Sequence, residues 1–143
     1  MELKVNELRI GNLFEHFEDG ILPIEEIRKD SDGFNGYYAV FRDGSIKCHV
    51  NYLNPIPLTE EWLLRFGFEI NDDLGDEIYY QMPEIKNGYG ICFDHNDITF
   101  YKYYGNGAEN VHTLIYDEKH LQSVHQLQNL YFSLTNTELK LIK

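Results

Sequence analysis

The sequence predicts an α+β fold: a small, strongly bent antiparallel unit, then an antiparallel sheet packed against a short and a long helix. Three observations carry this. Short apolar runs separated by glycine turns occupy about residues 10–50. Runs rich in tyrosine and phenylalanine follow between Glu77 and Tyr104. Helical hydrophobic spacing surrounds Trp62 and fills the last part of the chain. At 143 residues, with 43% hydrophobic and 15% aromatic residues, the chain has the material for a packed core and not the composition of a disordered one. The division expected is a subdomain at 1–57 and a second at 58–143, fused into one compact unit because Pro55-Ile-Pro57 is a short, stiff connection.

Taken in order, Ile10 to Phe17 is apolar-rich and ends at Glu18-Asp19-Gly20, a hairpin signal. Ile21 to Ile27 resumes the extended pattern, with Pro23 favouring an edge position. Ser31-Asp32-Gly33 and Asn35-Gly36 form a loop. Tyr37 to Phe41 is the next strand, Arg42-Asp43-Gly44 a tight turn, and Ser45 to Val50 the returning strand. The motifs Arg9-Ile-Gly-Asn-Leu-Phe, Val40-Phe-Arg-Asp-Gly-Ser and Val50-Asn-Tyr-Leu-Asn-Pro-Ile, in this order, resemble an SH3-like or Tudor-like small antiparallel barrel over about residues 8–57. In that resemblance the last motif is the helical turn before a closing strand.

Leu58 to Gly67 reads as a short helix. Thr59 is placed to cap it, Glu60 and Glu61 stand in the first turn where the helix dipole favours anions, and Gly67 suits the left-handed stop. Leu58 and Leu63 form a hydrophobic staple, and Trp62, Leu63 and Phe66 supply the buried face. Asn71-Asp-Asp-Leu-Gly-Asp-Glu reads as a solvated acidic loop. It lacks the Gly and Glu that a calcium loop needs at its sixth and twelfth positions, which hold Asp76 and Met82. A meander over Glu77–Met82, Tyr89–Asp94 and Ile98–Tyr104 follows, then a strand at Val111–Tyr116. A final helix is expected from Glu118 to Thr135, capped by Asp117 and stapled by Tyr116 and Leu121. Its apolar residues span an arc of about 200°, wide enough to cover the sheet or to meet a second copy as a homo-oligomer. Asn136 is a stop, and Glu138 to Ile142 an added edge strand.

Charge is the main functional signal. Between Leu58 and Phe100 stand ten acidic side chains against Arg65 and Lys86, which accounts for −8 of the formal −12. Such a field repels nucleic acid and anionic membrane and attracts cationic partners. The start Met1-Glu-Leu-Lys-Val lacks the pattern of a secretory signal and no run approaches a membrane span, so a soluble cytoplasmic protein is expected. Cys48 and Cys92 are too few for a disulfide scaffold.

No phosphate-binding glycine loop, nucleophile elbow or dinucleotide fingerprint appears, and no cofactor or metal is expected. His120 and His125 are five apart, which on a helix turns them away from each other. His112, at the preceding strand, could join either one but not both, and His95 sits in a turn with Asp94 and Asp97 that would suit only a weak surface metal site. Cys48 and His49, adjacent on a strand, face opposite sides, so a nucleophilic Cys48 requires another histidine such as His16. Glu77 and Glu84 are the candidate carboxylate pair for hydrolysis.

The runs Val124-His-Gln-Leu-Gln-Asn-Leu-Tyr-Phe-Ser-Leu-Thr-Asn-Thr-Glu-Leu and Ile56-Pro-Leu-Thr-Glu-Glu-Trp-Leu-Leu-Arg-Phe-Gly-Phe, with Asn6-Glu-Leu-Arg-Ile-Gly-Asn, resemble a family of small uncharacterised proteins from phages and prophage-like elements of Bacteroides-type bacteria. The resemblance implies a mobile-element setting, in which small acidic proteins act by binding and blocking a host component. It brings no site residues.

The expected function is therefore that of a non-enzymatic acidic binding protein that binds or inhibits a host protein with a basic surface. The candidate binding residues are Tyr79, Tyr80, Tyr101 and Tyr103 with Glu77, Asp72, Asp73 and Asp76. The alternatives are a small-molecule (nucleotide or metabolite) binding protein, drawing on Arg9, Arg28, Lys29, Arg42, Lys47 and Lys102, and a small hydrolase using Glu77, Glu84, His112 or His125.

Overall fold

The computed structural model describes residues 3–31, 36–83, 89–94, 97–104, 111–116 and 121–142, with 72, 94, 97, 102–104 and 111–116 described by backbone alone. The fold is α+β, mostly antiparallel, with its longest helix near the C-terminus. The chain divides into two units. The first comprises Met1–Pro57 and Ser123–Leu134, the second Leu58–Gln122 and Thr135–Lys143.

In the first unit a 3-10 turn at Val5–Glu7 precedes β1 (Leu13–His16) and β2 (Gly20–Pro23), which pair as a two-stranded sheet. β3 (Glu26–Lys29), β4 (Tyr37–Phe41) and β5 (Ile46–His49) form a three-stranded sheet. The extended run expected from Ile21 to Ile27 is thus two strands in different sheets. The backbone of Ile24 still follows the β1 register, its N–H donating to Asn12 O at 2.9 Å, and the switch comes one residue later, where the Glu25 N–H donates to Val40 O at 2.8 Å. Arg42, Asp43 and Gly44 all take positive φ (48°, 52° and 83°) to close the β4–β5 hairpin.

The helical turn expected before a closing strand is present as the 3-10 turn Val50–Tyr52. The barrel is not closed. After the turn, the chain meets β1 at one bridge, Glu15 with Asn54, and no closing strand forms among the described residues. Pro55 and Pro57 follow that bridge, and neither has the N–H a continuing ladder would need.

The last helix, α2 (Val124–Thr135), has its residues up to Leu134 in the first unit. Side-chain amides explain the placement. Gln128 Oε1 accepts the Leu13 N–H at 2.9 Å while its Nε2 donates to Gly11 O at 3.0 Å. Asn129 Nδ2 donates to Glu7 O at 2.7 Å, and its Oδ1 accepts from Asn12 Nδ2 at 3.0 Å. The Arg9 guanidinium lies 3.6 Å from the Phe132 ring centroid. Val124, Leu127 and Tyr131 are buried, with Leu130 and Phe132 half-buried. The core beneath is Leu3, Leu8, Phe14, Ile24, Ala39, Phe41, Val50 and Leu53. Residues 117–120, including the expected cap at Asp117, lie outside the described residues.

The second unit opens with α1 (Glu60–Arg65). Thr59 occupies the cap position without a side-chain cap bond, Gly67 takes the left-handed conformation at φ 83°, and Trp62, Leu63 and Phe66 are buried as expected. The sheet that follows is a consecutive meander: β6 (Glu69–Asp73), β7 (Glu77–Gln81), β8 (Tyr89–Asp94), β9 (Asp97–Tyr104) and β10 (Val111–Tyr116), in the order β10-β9-β8-β7-β6. The acidic loop expected from Asn71 is in part the edge strand β6. Glu138 to Ile142 forms no strand; the Ile142 N–H donates to Arg65 O at 2.8 Å.

Candidate functional site

The acidic residues of the second unit are positioned by α1 and the β6–β7 hairpin. Leu74 N–H donates to Glu77 O at 2.9 Å and closes the hairpin. Asp73 Oδ1 accepts the Gly75 N–H at 2.9 Å, with Gly75 at φ 87° making the bend. Glu69, Asn71, Asp73 and Asp76 are exposed, and so are the apolar side chains between them, Ile70 at 54% and Leu74 at 62%. Arg65 lies over the Trp62 ring, 4.1 Å from its centroid. Among the described residues no ion pair joins Glu61, Glu69 or Asp73 to a base.

The candidate tyrosines whose side chains are described lie in the interior. Tyr79, Tyr80 and Tyr101 are 9%, 2% and 3% exposed. Consecutive strand residues face opposite sides, so Tyr79 and Tyr80 part company. Tyr79 meets Tyr101 edge-on at 5.1 Å and forms a small buried cluster with it and Cys92. Tyr80 packs edge-on against Phe93 at 6.0 Å. Each phenol is tied to a carboxylate: Tyr79 donates to Glu77 Oε2 at 2.7 Å, and Tyr80 to Glu60 Oε2. Burial pushes both phenols well above their ordinary value, and the adjoining carboxylates push the same way. Glu77 and Glu60 therefore brace the sheet. Of the candidate residues, Asp73 and Asp76 are exposed, Glu77 is half-buried, and the side chains of Asp72 and Tyr103 lie outside the described ones. Glu84, His95, His120 and the side chain of His112 also lie outside them.

The first unit holds a cleft of about 230 Å³ between β1, β5 and the turn after it. Phe14, Phe41 and Leu53 are its buried lining; Phe17 and Tyr52, 84% and 78% exposed, also border it. Cys48 and His16 line this same cleft, the one pairing that offered a thiol nucleophile. The chemistry runs the other way. Burial pushes the Cys48 thiol up, and its Sγ donates to His49 O at 3.5 Å. His16 is turned to Asp19: its Nδ1 accepts the Asp19 N–H at 3.3 Å and lies 3.1 Å from Oδ2, while Arg42 holds Oδ1 at 2.5 Å.

His125, weighed above as a metal or catalytic group, is fully buried. Its ring stacks on Phe14 at 5.0 Å and its Nδ1 lies 2.9 Å from Ser123 Oγ. Burial lowers its pKa to about 4, against a smaller upward pull from Glu7. The signal for this role was its place among Val124 and Leu127 on the apolar face. Among the described residues no group of three or more His, Cys, Asp or Glu is arranged to hold a metal ion. No described helix is long and apolar enough to cross a membrane. No family model, curated protein or solved structure matches the chain.

Proposed function

We propose that this chain is a non-enzymatic binding protein that captures a basic partner through the acidic surface of its second unit. The observation that carries the reading is the exposure of β6 and its hairpin, where Glu69, Asp73 and Asp76 surround the uncovered Ile70 and Leu74. Carboxylates there attract a cationic surface over a Debye length, and the two aliphatic side chains offer contact once the surfaces meet. In the cytoplasmic, phage or prophage setting implied by the motif resemblance, the partner is a host protein with a basic surface. A protein that handles nucleic acid fits, because the acidic block imitates a polyanion. The buried phenols contribute rigidity to this surface and no contact area.

The test is affinity capture from host lysate, followed by titration of the purified partner against wild type and a variant carrying Glu61→Gln, Glu69→Gln, Asp73→Asn and Asp76→Asn. Binding that falls steeply with salt and at least tenfold in the variant supports the reading. Binding that the neutralised variant retains in full overturns it.

The cleft bordered by Phe17 and Tyr52 favours a second reading, a small-molecule binding protein, since an apolar floor with a few polar groups at its rim is the usual form of such sites. A thermal-shift screen of nucleotides and metabolites, with Phe17→Ala as control, tests it. Stabilisation lost in the variant supports a ligand there, and no stabilisation by any compound removes it.

A further inference from the structure

The edge of β6 specifies how a basic partner is held. Resting on the reading above, we infer that β6 takes an extended segment of the partner, with lysines or arginines on both of its faces, as an additional antiparallel strand of the five-stranded sheet.

β6 ends the strand order, and among the described residues its ladder bonds run to β7 alone. The bond from Leu74 N–H to Glu77 O fixes the phase of the ladder. In an antiparallel pair, bonded and non-bonded residues alternate. Asp73, opposite Ile78, therefore directs its own N–H and C=O away from β7, towards the open edge. Every β6 side chain that is described is exposed, so neither face of the strand is covered.

Open edges invite pairing with any extended chain, and charge is the usual filter. The register shift between Ile70 and Asp72 bends the edge away from a flat template and changes which residues share a face: Glu69 lies with Leu74, and Asp73 with Ile70. Two copies of β6 laid side by side would bring carboxylates together on both faces, Glu69 on one and Asp73 on the other, and like charges across a ladder are destabilising. A strand bearing cations on both faces meets opposite charges instead, so the feature that rejects a second copy selects the basic segment. Each face also offers one aliphatic side chain, Leu74 or Ile70, to an apolar residue of that segment.

The experiment uses the intact protein and a fluorescent nine-residue peptide in which pairs of lysines alternate with pairs of valines, so that each face carries both, read by anisotropy at low salt. Two further peptides carry N-methyl groups on alternate backbone nitrogens, one set along each edge of the extended peptide. Tenfold or greater loss with one methylated set and little loss with the other supports docking by backbone pairing. Equal affinity for both sets, or no binding of any of the three peptides, overturns it. Equal affinity leaves salt-sensitive acidic capture standing, whereas loss of that capture is read separately in the charge-neutralised variant. Asp73→Pro compared with Asp73→Asn isolates the outward N–H: a further several-fold loss in the proline variant is expected, and none overturns the assignment. Retained exchange protection in β7 and β8 verifies that the proline variant is folded.

Discussion

Gln128 and Leu13 are 115 residues apart in the chain and 2.9 Å apart in the fold, the helix side chain accepting the strand's backbone N–H. The same amide donates to Gly11 O at 3.0 Å, so one buried side chain satisfies two backbone groups that no strand partner reaches. Gln128→Ala leaves both unmet. It is expected to destabilise the protein by about 2–3 kcal/mol, measured by urea unfolding, with amide exchange faster at Leu13 while β7 and β8 keep their protection.

His125 sets a pH limit. Its pKa in the fold is about 4, below the ordinary histidine value of 6.5, so the neutral form is the one the fold accommodates. Its contribution is fully present above pH 6.5 and is lost as the pH falls towards 4, by up to about 3 kcal/mol. Urea midpoints for wild type and His125→Gln, taken at points across that window, are expected to differ most in slope. The variant falls less steeply with acid because it cannot take the proton.

Tyr79 and Tyr80 should stay protonated when the pH is raised. In an ultraviolet titration of the folded protein, at least these two phenols are expected to remain un-ionised near about pH 11, where a free tyrosine has largely ionised. Tyr79→Phe and Tyr80→Phe are each expected to remove one of them. Tyr80→Phe also leaves Glu60 without its donor and is expected to cost about 1–2 kcal/mol.

Gly90 is packed from both sides. A methyl group there would fall on the Tyr101 hydroxyl and on the Tyr80 carbonyl oxygen. Because the second obstacle is backbone, Gly90→Ala is expected to cost about 1–3 kcal/mol, and Tyr101→Phe is expected to recover only part of it.

Much of this architecture is legible in the sequence, and the reasons are local. Glycine and aspartate turns mark the β4–β5 hairpin, and the spacing of Trp62, Leu63 and Phe66 marks α1. The alternation of β7, β8 and β9 is set by aromatic residues that must be buried. β6 is not legible, because with both faces exposed it has no apolar alternation; its strand form comes from pairing with β7. The unclosed barrel is half legible: the 3-10 turn follows from the chain around Val50, but whether a strand can follow it depends on Pro55 and Pro57 together. The partner of α2 was hidden because apolar residues say only that a helix packs. Which surface it packs on is decided by Gln128 and Asn129, whose acceptors lie more than a hundred residues away. For the candidate site, charge pointed to Asp73 and Asp76, which the fold leaves exposed, but composition gave no means to tell a tyrosine that faces solvent from one tied to Glu77 or Glu60.

The first unit is written in two pieces, Met1–Pro57 and Ser123–Leu134. A ribosome making this chain therefore releases the strands long before the helix that completes them. At roughly 5–20 residues per second the interval lasts several seconds. Throughout it, Phe14 lacks the histidine ring that stacks on it, and the backbone of Gly11 and Leu13 awaits its amide. The five-stranded meander of the intervening segment, by contrast, can zip up neighbour by neighbour, although its unit also gains a last piece, Thr135–Lys143. Birth order thus leaves the portion synthesised first unsealed while all of Leu58–Gln122 is made.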